Sequence, residues 1–81
     1  MEITFDELKR RTNMEKHGFD FAELDHAFFV AARIYPGKRD RQIAVGNLGQ
    51  ITIAVVFRPL GSEALSVISM RTASLKERSM P

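Results

Sequence analysis

Ile51-Thr52-Ile53-Ala54-Val55-Val56-Phe57 is apolar at nearly every position. A strand with one wet face alternates apolar and polar residues, whereas one covered on both faces does not. The run therefore predicts a central strand. Just before it, Gly46-Asn47-Leu48-Gly49 predicts a hairpin loop leading back to a strand over Gln42 to Val45. Just after it, Arg58-Pro59-Leu60-Gly61-Ser62 predicts the turn into a last strand, Ala64 to Met70. Farther upstream, Phe29 to Tyr35 predicts a strand ended by Pro36-Gly37, with a basic turn, Lys38-Arg39-Asp40-Arg41, before the next. Four strands joined by short turns make an antiparallel meander. Alternation along a strand places Arg41, Ile43 and Val45 on one face of theirs, and Leu65, Val67, Ser69 and Arg71 on one face of theirs.

The N-terminal third reads differently. Ile3 to Phe5 predicts a short strand, and Asp6 is the N-cap of a helix that Gly18 stops. Acids come early in that helix and bases late, as the macrodipole favours. Asp20 and Glu23 predict a second start, with Phe21, Leu24, Ala27 and Phe28 at helical spacing as a core stripe. His26 falls inside this second helix and reads as a structural histidine. Two isolated histidines and no cysteine make no metal site.

Helices at one end of the chain and strands at the other argue for an α+β domain. The expected arrangement has the N-terminal helices on one face of a small antiparallel meander, a short C-terminal helix, and the other face left open. At 81 residues the chain is a single domain, spanning 1–81, burying about 60–65% of its unfolded surface. The opening Met1 to Asp6 lacks the basic and apolar regions of a secretory signal, and the absence of cysteine suits a reducing cytoplasm.

The last strand runs into Arg71-Thr72-Ala73-Ser74-Leu75-Lys76-Glu77-Arg78. Ser74 and Glu77 have capping-box spacing, so a helix starts here between two arginines. Guanidinium groups beside free helix amides favour a phosphate; the plainer reading is an ordinary strand-to-helix junction. Charge distribution points the same way as the phosphate reading. The net charge is +2, with four Lys/Arg against seven Asp/Glu over residues 1–25 and eight against three from Arg33 onward. An anionic partner is drawn to the second half.

Taken together, Phe5-Asp6 with Lys9 and Asn13, Lys16-His17-Gly18 followed by Phe21, Arg41 with Ile43-Ala44-Val45-Gly46, and Ile68-Ser69, Arg71, Ala73 and Glu77-Arg78 follow one family's pattern in order. The chain resembles the BrnT family of bacterial toxins, small ribonucleases of type II toxin–antitoxin systems with a RelE-like fold. Three departures stand out. The family's tryptophan before Asp6 is missing, Arg39 stands where an acid is common, and Met80-Pro81 stands where the family continues to a tyrosine and a longer helix.

The resemblance implies endoribonuclease action in the cytoplasm without metal or cofactor, inhibiting translation and growth. It also implies a cognate antitoxin with a ribbon-helix-helix DNA-binding domain, through which operator DNA is reached. The chemistry needs a proton acceptor for the 2′-OH and positive charge for the crowded phosphorane. Arg71 and Arg41 are the first candidates for the phosphate and Arg78 the third, together an anion-holding cradle on the uncovered face. His17 is the candidate for proton transfer because imidazole ordinarily titrates near neutrality; Lys16 and Lys9 are the alternatives. The competing reading of His17 is a residue bonding a free carbonyl at a helix end. The missing tyrosine keeps a second function in view, a non-catalytic nucleic-acid-binding or interaction module of the same fold.

Overall fold

In the computed structural model, which describes residues 1–79, the Ile51–Phe57 run lies within the longest strand of a five-stranded mixed sheet. The elements are β1 (Glu2–Phe5), α1 (Glu7–His17), a single 3-10 turn (Phe21–Glu23), α2 (His26–Ala31), β2 (Arg33–Pro36), β3 (Gln42–Leu48), β4 (Ile51–Leu60), β5 (Ala64–Thr72) and α3 (Leu75–Ser79). The sheet order is β1-β5-β4-β3-β2. The meander from β2 to β5 is antiparallel throughout, and β1 adds a parallel strand on the outer side of β5. The chain is therefore α+β with a mixed sheet.

Alternate residues of β4 enter two different cores. Ile53, Val55 and Phe57 join Phe21, Leu24, Phe28, Phe29, Leu65, Val67 and Met70 in the larger one. Its rings meet edge to face, Phe29 against Phe28 and Phe57 at centroid separations of 5.2 and 5.4 Å. On the other side, Ala54 packs with Val45 and Ala73, flanked by Tyr35 and Ile43. Each fully buried large apolar side chain is worth about 1.5–3 kcal/mol, and an exposed ion pair at most about 1. The larger core therefore dominates stability.

Local caps form where the residue types ask for them. The Asp6 carboxylate accepts from the Leu8 N–H at 2.8 Å, and Gly18 closes α1 at φ +79°, its N–H donating to the Met14 carbonyl. The second helix is shorter than its apolar spacing predicts. Asp20 caps only the 3-10 turn, the backbone extends at Leu24, and Asp25 then caps α2 by accepting from the Phe28 N–H at 2.9 Å. Asp25 competes for the backbone in the middle of the predicted helix, and its capping bond prevails. As a result Phe29 is helical and the next strand begins at Arg33. His26 opens α2 as an exposed residue and has no side-chain partner among the described residues, where a satisfied structural histidine was expected. The β3–β4 hairpin is also tighter than predicted. Leu48 pairs with Ile51, leaving Gly49-Gln50 as the turn, with Gly49 at φ +64°.

One irregularity controls the site. Val56 pairs with Ser69 but Phe57 pairs with Val67, so Ile68 is an extra residue in β5. Such a bulge reverses the alternation beyond it. Leu65, Val67 and Met70 all reach the larger core, while Ser69 and Arg71 turn to the opposite face. The predicted sharing of one face by Leu65, Val67, Ser69 and Arg71 fails for this reason.

Candidate active site

Arg71 stands opposite Ala54 near the end of β5. Beyond Thr72 the chain folds back over the sheet. The Ala73 N–H donates to the Thr52 carbonyl at 3.0 Å, and Ala73 is 4% exposed against Val45 and Ala54. The face expected to be open is thus partly covered by the chain's own C-terminal segment. The capping box forms as predicted: the Ser74 N–H donates to Glu77 Oε1 at 2.8 Å and the Glu77 N–H to Ser74 Oγ at 3.1 Å.

Glu77 also receives Arg71, whose Nη1 donates to Oε1 at 2.7 Å and Nη2 to Oε2 at 3.0 Å. Two parallel bonds to one carboxylate occupy the Nη1–Nη2 edge of the guanidinium. The place read as a phosphate cradle therefore holds an internal carboxylate, and the box has taken the helix-start amides of Ser74 and Glu77. Arg71's hydrogen bonds hold the Glu77 carboxyl down to about 2, and Arg71 in turn is raised. A carboxyl with a depressed folded pKa stabilises the fold above its usual value of 4.5, and that contribution is lost as pH falls through about 2. The Glu77 side-chain carboxyl resonance is accordingly expected to titrate near pH 2. A midpoint near 4.5 would show that the pair does not form in solution.

The remaining candidates fall into separate groups. Arg71, Ala54, Val45 and Arg33 lie side by side across four strands, so Arg33 is three strand spacings, about 14 Å, from Arg71. Arg41 precedes β3, and by alternation with Ile43 it lies on the same face. Two strand spacings and four residues of rise put its Cα about 16 Å from that of Arg71. Arg41 and Arg71 are therefore spread across one face of the sheet rather than set side by side. Arg78 lies at the opposite end of β3 from Arg41, lining a cavity with Arg33.

Lys9, Lys16 and His17 do come together. They line a groove of about 320 Å³ between α1 and β5, with Ser69 on the facing wall. Ser69 and Arg71 share a face two residues apart, about 7 Å along the strand. Among the described residues neither lysine has an ion pair. The His17 imidazole carries no hydrogen bond among them, and the helix-end carbonyl of Met14 is taken by the Gly18 N–H instead. Also among the described residues, no three His, Asp or Glu side chains gather within reach of one metal ion.

Asn13 holds this groove to the sheet. β1 ends at Phe5, level with Val67, and among the described residues no strand pairs with the edge of β5 beyond it. The Asn13 side chain takes that place at Met70, Nδ2 donating to its carbonyl at 2.9 Å and Oδ1 accepting from its N–H at 3.1 Å. Ser69 Oγ lies 3.4 Å from the same Oδ1. Sequence reasoning placed Asn13 in the family pattern without a role. The available signal was a poor helix former in the middle of a helix, where a side-chain amide needs a reason to be. Ser69 stands in the same family pattern and alternates onto the face of Arg71, whereas Arg33 carries no comparable signal, because only the sheet register brings it to this face.

A mixed sheet with a cationic groove at one edge and arginines across one face fits a protein acting on a polyanion. The family model described as the ribonuclease toxin BrnT of type II toxin–antitoxin systems matches residues 5–77, and the chain belongs to that family. It is similar to the Brucella abortus ribonuclease toxin BrnT, known from a 1.1 Å crystal structure. The two share 59% sequence identity at a TM-score of 0.86, over 91% of this chain and 97% of that one. No curated protein matches the chain. Membership in a type II toxin–antitoxin family implies an antitoxin partner. No helix among the described residues is long and apolar enough to cross a membrane.

Proposed function

We propose that this chain is an endoribonuclease of RelE-like fold that cuts RNA without a metal ion, inhibits translation and growth, and is neutralised by a ribbon-helix-helix antitoxin that carries the pair to operator DNA. The observation that carries the reading is the meeting of Lys9, Lys16 and His17 in one groove with Ser69, which shares a face of β5 with Arg71 two residues on. The RNA phosphate exchanges with the Glu77 carboxylate on Arg71, since both present two oxygens to the fork. His17 takes the proton of the 2′-OH as that oxygen attacks phosphorus. The 5′-oxygen leaves as its bond to phosphorus breaks and takes a proton from water, giving a 2′,3′-cyclic phosphate and a 5′-hydroxyl. Lys16 and Lys9 offset charge developing on the phosphorane, and Arg41 and Arg78 hold neighbouring phosphates.

The test is incubation of the purified chain with RNA in the presence of a chelator, with the new ends characterised chemically. Cyclic phosphate and 5′-hydroxyl ends are expected, and His17→Gln should flatten the pH dependence of the rate, because an amide can hydrogen-bond to the substrate but is no general base. Failure to cut, or cutting that the chelator abolishes, would overturn the reading.

A further inference from the structure

We propose that the cleft between α2, the β3–β4 hairpin and α3 binds a single RNA nucleotide next to the one that is cut; the choice of ligand rests on the ribonuclease reading above. The cavity is about 640 Å³, well within the range of small-ligand sites. Arg33 reaches it from β2 and Arg78 from α3, and neither has an ion pair among the described residues. Arg78 follows Glu77 in the chain, so α3 links this cleft directly to the residue that holds Arg71. An RNA strand whose phosphate replaces that carboxylate reaches the cleft by following the helix.

The walls suit a nucleotide better than a bare anion. Thr52 Oγ1 donates to Asn47 Oδ1 at 2.9 Å, which fixes the amide plane. The two Nδ2 hydrogens of Asn47 are left without an acceptor among the described residues, ready for a carbonyl or ring nitrogen on a base edge. Phe28 contributes apolar surface; Gly46 keeps room for it, because a Cβ there would stand 3.1 Å from the ring. Glu23 and Asp25 also line the cleft, Asp25 with one oxygen held by the Phe28 N–H, and these carboxylates repel free phosphate but accept from an exocyclic amino group. Phosphate on the arginines and base against Asn47 satisfies every polar group named.

The test adds the four ribonucleoside 5′-monophosphates singly to the ¹⁵N-labelled chain. Saturable shifts are expected at the Gly46, Asn47 and Gly49 amides, with affinity about tenfold lower in Arg33→Ala, the loss of one charge-assisted contact. Asn47→Asp replaces two donors by an acceptor and should reorder preference among the bases. Absence of shifts, or equal shifts from inorganic phosphate, would overturn the proposal. On RNA, Arg33→Ala should raise KM about tenfold with kcat unchanged. An active chain indifferent to Arg33→Ala sinks the pocket and spares the nuclease reading. An inactive chain that still binds nucleotides here does the reverse.

Discussion

Replacing Arg71 with alanine is expected to lower RNA cleavage by about 10²–10³-fold, the usual cost of losing one preorganised donor to a developing oxyanion. The fold should survive. Arg71 pairs with Glu77 at a partly exposed position, and Glu77 keeps its bond to the Ser74 N–H when the guanidinium is gone. A loss of about 1 kcal/mol or less follows, a shift of a few degrees in melting temperature. Arg71→Lys keeps the charge but not the fork, so it should recover only part of the rate. The measurement is growth arrest on induction, read beside thermal unfolding of each variant. Undiminished toxicity of a folded Arg71→Ala chain would remove Arg71 from the site.

Asn13→Leu should be the most destabilising change in the groove. Asn13 is 7% exposed and satisfies both backbone groups of Met70, itself fully buried. Leucine has similar volume but no polar atoms, so a carbonyl and an N–H lose their partners in a place water does not reach. At about 1–2 kcal/mol for each unsatisfied group, the expected loss is about 2–4 kcal/mol. For a domain of this size that is about 10–20 °C in melting temperature. Asn13→Asp keeps the acceptor for the N–H and should fall between. A change under about 3 °C for Asn13→Leu would show that the side chain does not serve as the missing strand.

Much of the architecture is written locally. The Ile51–Phe57 run marks the central strand because a strand buried on both faces has no polar position to offer. Asp6, Gly18 and the Ser74–Glu77 box set helix ends because each acts on amides or carbonyls a few residues away. Where two local signals collide, the sequence is harder to read. Phe21 to Phe28 has the spacing of one helix, but Asp25 caps a second start within it. The family pattern was likewise legible, and it matches residues 5–77.

The sequence by itself determined the element types, the meander, the caps and the family, because periodicity, turn chemistry and capping act within a few residues along the chain. Only the tertiary structure decided which face Arg71 occupies, since the extra residue in β5 is visible only against the register of β4. It also decided that Asn13 completes the edge of β5 from 57 residues away, and that Glu77 already holds Arg71. These contacts depend on how distant segments are placed in space, and alternation along one strand carries no record of a bulge or of what folds back over it.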